Sequence, residues 1–269
     1  MDPCSLRNGA SEIMDIRKQG GAWMFTRIVA SVAKRVRPTS LTKRRLVSIA
    51  ARHLSDVAYT RLRDRGFAPG SIIDVGACSG EWSRSVRKIF PSAPIFMIEA
   101  RSSEGTNLEN TCRAIGNADF AIGVLGATRE ASIPFYVLGT GSSIFPEQSN
   151  VGRELTTLPM TTLDDIVLNR QELRAPIFVK LDVQGAEIEV LEGAVKTLER
   201  SEIVQLETAL LPYNEGAPSA AEVISFMDKM GFAIFDIAGF IWQKGIHLIQ
   251  IDVMFARKDS QLRPHFFYY

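Results

Sequence analysis

The stretch that decides the fold is Ser71-Ile72-Ile73-Asp74-Val75-Gly76-Ala77-Cys78-Ser79-Gly80, followed about 20 residues on by Glu99. Apolar residues lead into an acid, and a turn with glycines at its first and fifth positions follows. A helix-like run, Glu81 to Phe90, leads to a second apolar run, Pro94-Ile95-Phe96-Met97-Ile98, which ends on Glu99. Strand, Gly-rich turn, helix, strand and acid make a nucleoside-binding half-site. Glycines let a backbone approach a ligand closely. A helix N-terminus offers N–H groups to a carboxylate or phosphate, and an acid closing the second strand accepts hydrogen bonds from ribose hydroxyls. The spacing Gly76-x-x-x-Gly80 is not the G-x-G-x-x-G of a dinucleotide fold, and no G-x-x-x-x-G-K-[ST] phosphate loop is present. Asp74, just before the glycines, suits a ligand that ends in a cation. S-adenosylmethionine carries both an ammonium and a ribose.

Outward from this unit, strands and helices alternate. Upstream, residues 1–68 read as helical, with apolar spacing in Leu46–Arg65, and Pro69-Gly70 ends that run. Downstream the pattern predicts a helix over Ser103–Ile115, a strand over Phe120–Leu125 and an inserted strand over Ser132–Leu138. The flexible loop Gly139-Thr140-Gly141-Ser142-Ser143 comes next, then a short helix over Leu163–Asn169 capped by Thr161 or Thr162. Pro176–Asp182 is continuously apolar apart from Lys180, which suits a central parallel strand. A helix over Glu187–Arg200, a strand over Glu202–Glu207 and a helix over Ser219–Met230 with Gly231 as its terminator follow. Phe232–Phe240 and His247–Ala256, joined through Gln243-Lys244-Gly245, read as an antiparallel pair. Alternation of this kind predicts a doubly wound, mostly parallel α/β sheet with a terminal antiparallel hairpin. The domain division is a helical, basic extension over 1–68 and a larger domain over 69–269.

Bulk properties narrow the function. A net charge of +1 gives no global case for nucleic acid or membrane binding, and no apolar run is long enough to span a bilayer. The three cysteines, Cys4, Cys78 and Cys112, are scattered and form no C-x-x-C pair, so neither a zinc site nor a disulfide framework is indicated, and a cytoplasmic location fits. No secretory signal is expected, because the apolar h-region and small-residue cleavage site are missing from the N-terminal stretch. In residues 1–50 Lys and Arg far outnumber the acids Asp2, Glu12 and Asp15, beside the apolar Ala22-Trp23-Met24-Phe25. That segment is read as helices capping the sheet with a solvated basic face. Peripheral contact with an anionic surface is the alternative.

Asp74, Glu99, Asp182 and Glu207 each close a strand and share the rim where open α/β sheets bind ligands. Four carboxylates on one edge repel one another unless a cation or a polyhydroxyl ligand sits among them.

Leu158-Pro159-Met160-Thr161-Thr162-Leu163-Asp164-Asp165, Val179-Lys180-Leu181-Asp182-Val183-Gln184-Gly185-Ala186-Glu187 and Val190-Leu191-Glu192-Gly193-Ala194 together resemble the FkbM family of S-adenosylmethionine-dependent methyltransferases. Ile73-Asp74-Val75-Gly76-Ala77 is similar to that family's D-V-G-A-N-x-G turn, and Gly141-Ser142-Ser143 to its Gly-Ser-Ser loop. The resemblance covers about residues 70–256, and Cys78 stands where the family usually has Asn. It implies a class I methyltransferase (Rossmann-like) fold with a seven-stranded sheet, and O-methylation of a hydroxyl on a sugar, polyketide or related metabolite.

In this reading Asp74, Gly76, Ala77, Cys78 and Gly80 hold the methionine end of S-adenosylmethionine. Glu99, with Ala100 beside it, takes the ribose, and Ser142 and Ser143 close over the cofactor. An alcohol is a weak nucleophile that needs a base or a metal to draw off its proton. Asp182 leads the candidates for that role, Glu207 is second, and His247 is the histidine near a late strand. Glu187 is read as a cap for the helix that starts there, and Trp242 and Tyr213 as candidates to line a sugar site. A divalent metal stays open, as do the acceptor and the oligomeric state. Two alternatives stand beside this reading: a nicotinamide-dependent oxidoreductase using the same Glu99, and a non-catalytic adaptor that retains the fold.

Overall fold

The computed structural model describes residues 54–149, 151–211, 213–243 and 247–263. Of the extension expected over 1–68, residues 1–53 lie outside the described residues, as do Lys244 and Gly245 of the last loop.

Seven strands form one sheet in the order β3-β2-β1-β7-β8-β10-β9. They are β1 (Ser71–Val75), β2 (Ile95–Glu99), β3 (Ala118–Ile122), β7 (Ile177–Leu181), β8 (Ser201–Ala209), β9 (Phe232–Gln243) and β10 (His247–Arg257). All neighbours are parallel except β10, which runs antiparallel to both β8 and β9. The chain leaves β1 toward β2 and β3, then crosses to β7 on the other side. β1 and β7 therefore flank the switch point where such sheets open a crevice. Every residue of β1, β2 and β7 is buried, as expected for strands covered on both faces.

Side chains alternate between the two faces. Ile73, Val75, Phe96, Ile98, Val179 and Leu181 pack on one face with the helices α5 (Glu187–Glu192), α6 (Val195–Glu199) and α7 (Ala220–Lys229). Ile72, Met97 and Phe178 pack on the other with α2 (Glu81–Ile89), α3 (Gly105–Ile115) and the helix α1 over 54–64, which contributes Ala58, Tyr59 and Leu62. Tyr59, Trp82 and Phe178 meet edge to face at 5.6–5.9 Å. Each large side chain buried this fully contributes about 1.5–3 kcal/mol. α7 starts in a capping box made by Ser219 and Glu222, and Gly231 follows its C-terminus at φ +85°.

Three local expectations change. The strand expected over Phe120–Leu125 divides at Gly123: β3 stays in the main sheet, while β4 (Val124–Leu125) joins a second sheet, β4-β6-β5, with β5 (Glu130–Val137) and β6 (Glu154–Thr161). β6 has no counterpart in the sequence reading, because none of its residues is buried and Pro159 interrupts its pattern. The single helix expected over Glu187–Arg200 is two short ones, broken at Gly193-Ala194. A Cβ on Gly193 would stand 2.2 Å from the Gly126 carbonyl. Beyond the break, Asp164 of α4 (Leu163–Val167) caps α6 by accepting from the backbone N–H groups of Lys196 and Thr197 and from the Thr197 hydroxyl, at 2.7–2.9 Å. Thr162 is the N-cap of α4. Among the described residues no helix is long and apolar enough to cross a membrane.

Candidate active site

A cavity of about 360 Å³ opens at the carboxyl ends of β1, β2, β7 and β8. Cys78, Glu99, Ala100 and Arg101 line its β2 side, Asp182, Gln184, Glu207 and Gln250 its β7–β8–β10 side, and Gly76 lies between them. Val75, Ile98, Leu125 and Phe135 give it apolar walls, and the Gly139–Ile144 loop of the second sheet borders it. Of the residues singled out in the sequence, Gly76, Cys78, Glu99, Ala100, Ser142, Ser143, Asp182 and Glu207 are brought together here. Asp74, Ala77, Gly80 and His247 are not among the lining residues. Ala77 is buried in the core. Gly80 is the N-cap of α2, where a Cβ would meet Thr111 at 2.6 Å. His247 is exposed at the start of β10, paired with Gln243 beside the β9–β10 connection, three residues, or about 10 Å of strand, from Gln250.

The Gly-rich turn is tied down from behind. Both Gly76 and Ala77 donate their N–H to the Ile98 carbonyl, and Cys78 donates its own to Glu99 Oε2 at 2.7 Å. These N–H groups are therefore spent within the fold. Gly76, at φ +73°, passes so close to the end of β7 that a Cβ would lie 1.8 Å from the Asp182 carbonyl. Close approach of two strands, and not only of a ligand, requires glycine there. Cys78 is itself left-handed at φ +50°, a conformation that asparagine adopts more readily than cysteine. Its thiol accepts from the Arg101 guanidinium at 3.3 Å. Glu99 Oε1 accepts from the Arg101 backbone N–H and from Arg101 Nε, each at 3.0 Å. An ionised carboxylate offers about four lone-pair sites, and three are used here, so Glu99 keeps acceptor capacity. Ser142 and Ser143 brace their own loop. Ser142 Oγ accepts from Leu138 N–H, and Ser143 Oγ donates to the Gln184 carbonyl, each at 2.9 Å.

Strand register builds the other end. Asp74 pairs with Lys180, and Lys180 with Gln205, in one cross-strand row on the α2 face. Lys180 Nζ lies 3.3 Å from Asp74 Oδ1, 3.3 Å from Asp182 Oδ2 and 3.5 Å from the Gly76 carbonyl. Ser83 donates to the other Asp74 oxygen at 2.8 Å. Two residues further along, Glu207 pairs with Asp252 on β10, and the β7–β8 register, continued by one residue, sets Asp182 level with Glu207. The rim acids are thus compensated by a buried lysine within the sheet.

Burial opposes ionisation of Asp182, but the Lys180 ammonium and hydrogen bonds from Glu207 and Gln184 outweigh it and hold the carboxyl below its usual range. Burial, the neighbouring Asp182 charge and its hydrogen bond to Asp182 push Glu207 well above that range. Lys180 is held protonated by Asp182 and Asp74 against its burial. Glu187 is buried and pushed up to about 7. Its Oε1 accepts from Val183 N–H at 3.1 Å and Gly185 N–H at 3.3 Å, so it caps the loop that leads into α5. Tyr213 donates to Glu207 at 3.0 Å, whereas Trp242 is exposed on the edge strand β9. Among the described residues no group of three or more His, Cys, Asp or Glu side chains is placed to hold a metal ion. Lys180 and Gln184 entered the sequence analysis only within the family-like stretch Val179–Glu187, with no role given to either, and Arg101 and Gln250 were not singled out. Lys180 left a further signal, as a lone cation in an otherwise apolar strand two residues before an acid.

Residues 74–234 match the sequence model of the methyltransferase FkbM domain. The chain belongs to the FkbM methyltransferase family. The matched span of this FkbM domain runs from Asp74 into β9 and includes every cavity-lining residue named above except Gln250. No curated protein matches the chain in sequence. Among solved structures, methyltransferase FkbM from Methylobacillus flagellatus KT is similar at 14% identity, covering 70% of this chain and 43% of that one, with a TM-score of 0.45. Measured against that protein, the FkbM chain described here spans less than half its length. Magnesium protoporphyrin IX methyltransferase (ChlM) from Synechocystis PCC 6803, with bound SAM, is 11% identical over 78% of this chain and 80% of that one, with a TM-score of 0.46. Precorrin-6y C5,15-methyltransferase from Geobacter metallireducens GS-15 is 13% identical over 73% and 85%, with a TM-score of 0.41.

Proposed function

We propose that this FkbM-family chain binds S-adenosylmethionine and O-methylates a hydroxyl of a small molecule, a sugar, polyketide or related metabolite, in the cytoplasm. The observation that carries the reading is one cavity with Glu99 at one end and the Asp182 carboxylate at the other. The donor set suits the cofactor: Glu99 keeps capacity for a ribose hydroxyl, and Asp182 places an anion where a sulfonium would be favoured. Bound S-adenosylmethionine supplies an electrophilic methyl group. Gly76, Cys78 and Ala100 shape the cofactor end, and the Gly139–Ser143 loop, pinned through Ser143 to the Gln184 carbonyl, borders the cavity. Asp74 acts from behind the turn: through Lys180 it positions Gly76 and Asp182. Asp182 takes the proton of the acceptor hydroxyl, a general-base contribution of about 10²–10⁴ in rate. The domain over 69–269 does this chemistry, covered on one face by α1.

Calorimetric titration with S-adenosylmethionine and with a nicotinamide dinucleotide tests the cofactor. Transfer of labelled methyl into a metabolite extract, read by mass spectrometry, tests the reaction. Glu99→Gln should weaken cofactor binding about tenfold or more, through loss of a charged acceptor. Asp182→Asn should bind cofactor and lose transfer at every pH. Unchanged affinity in Glu99→Gln, or full turnover in Asp182→Asn, contradicts the assignment.

A further inference from the structure

The carboxyl oxygens at the acceptor end are unequally partnered. Gln184, left-handed at φ +55°, is pinned through its carbonyl, which accepts from Ser143 Oγ and from Asn214 Nδ2. Its side-chain Nε2 carries two hydrogens and gives one to Asp182 Oδ1 at 2.8 Å and one to Glu207 Oε1 at 3.0 Å. The Tyr213 hydroxyl donates to the same Glu207 Oε1 at 3.0 Å. Lys180 Nζ faces Asp182 Oδ2 at 3.3 Å. Three of the four oxygens therefore face donors that they can only accept from. Glu207 Oε1 has both lone pairs taken by Gln184 and Tyr213, so a proton there would set hydrogen against hydrogen, and on Asp182 a proton would give up the charge that faces the Lys180 ammonium. Glu207 Oε2 is the one left.

We propose that Asp182 and Glu207 form a carboxyl pair that holds a single proton, seated on Glu207 Oε2 by Gln184, Tyr213 and Lys180. Glu207 is then a neutral positioning acid, and Asp182 is the pair's one anion. The inference rests on the methyltransferase reading only for its consequence in the reaction. Two carboxylates side by side cannot both ionise cheaply, and here the surroundings decide which one does. The groups facing the pair agree. Lys180 lies on the Asp182 side, and the carboxyls of Glu187 and Asp252 act on Glu207 and discourage a second charge. During turnover the acceptor hydroxyl gives its proton to Asp182, the pair then holds two protons, and one leaves to solvent before the next cycle. The pair titrates as a unit, so its two apparent values belong to both residues.

The resting protein offers a direct test. With ¹³C in the glutamate side-chain carboxyls, the resonance lost in Glu207→Gln should stay in its protonated position through pH 7. If it titrates in the ordinary range near pH 4–5, the proposal falls. In the transfer assay Glu207→Gln should slow turnover about three- to tenfold and remove the alkaline limb of the pH profile, because the second ionisation is gone. A loss as large as that of Asp182→Asn, with the alkaline limb retained, overturns the proposal and makes Glu207 the base. Thermal melting and cofactor titration check that the variant is folded. Gln184→Leu is the second variant: it removes a donor from the Asp182 anion and should move the acid limb to higher pH, and an unmoved limb contradicts the role given to Gln184. The carboxyl titration needs no turnover. A high-titrating Glu207 in a protein whose Asp182→Asn form keeps full transfer would sink the base assignment and leave the one-proton pair standing.

Discussion

Replacing Lys180 with methionine removes the cation that holds two acids in place. Its side chain is 7% exposed, Asp74 is fully buried, and Asp182 is about a third exposed at 35%. At 3.3 Å and an effective dielectric constant near 20, each ion pair is worth about 5 kcal/mol of Coulomb energy. The Asp182 pair counts for less because solvent screens it. Desolvation offsets much of the remainder, and removing one partner of a buried pair typically costs about 3–5 kcal/mol. Lys180→Met should therefore lose about that much stability in urea unfolding at pH 7, or roughly 6–20 °C in Tm for a domain of this size. Asp74 then has no cation and escapes by taking up a proton. Its folded-state pKa moves further above the unfolded value, so the variant binds more protons folded than unfolded and its stability falls as pH rises. The loss should be larger at pH 8 than at pH 5. Asp74→Asn combined with Lys180→Met should recover at least about 1 kcal/mol, since the two residues share one interaction. A single-variant loss below about 1 kcal/mol, or strict additivity in the double variant, would refute the view that Lys180 neutralises this rim.

Three further outcomes are expected. Cys78→Asn should keep or tighten S-adenosylmethionine binding and raise stability by up to about 1 kcal/mol, because residue 78 is left-handed; a tenfold loss of affinity by calorimetry contradicts this. Glu187, pushed up to about 7 by burial, contributes stability that is fully present below its unfolded pKa near 4.5 and is lost as pH rises to 7, by about 3 kcal/mol. Glu187→Gln should flatten urea-measured stability between pH 5 and 7.5 by about 2 kcal/mol, the part of that loss that falls in this window, and an unchanged slope would show that the side chain ionises normally. Asp164→Ala should cost about 1–2 kcal/mol by uncapping α6, with Asp165→Ala as the comparison variant; equal effects in denaturant titrations would remove the special role of Asp164.

Much of this protein is written locally. Continuous apolar runs such as Ile72–Val75 and Ile95–Ile98, the glycines of the turn, the Ser219 cap and Gly231 each carry their signal within a few residues. The doubly wound sheet, its terminal hairpin and three of the four expected rim acids, Glu99, Asp182 and Glu207, were therefore legible in sequence, as was the family. β6 was not, because an exposed strand with an internal proline has no apolar period to read. The break at Gly193 was not either, because its cause is the Gly126 carbonyl of a distant segment.

Register is what only the tertiary structure decided. Nothing in the local sequence says that Asp74 will face Lys180 across the sheet, or that Glu207 will come level with Asp182. Those pairings convert a row of repelling acids into an ion-paired, proton-sharing set. They also turn Asp74 away from the cavity that its motif was expected to serve. A side chain's type is chosen residue by residue. Its charge state and its reach depend on which strands lie beside it, and that is settled only when the whole sheet closes.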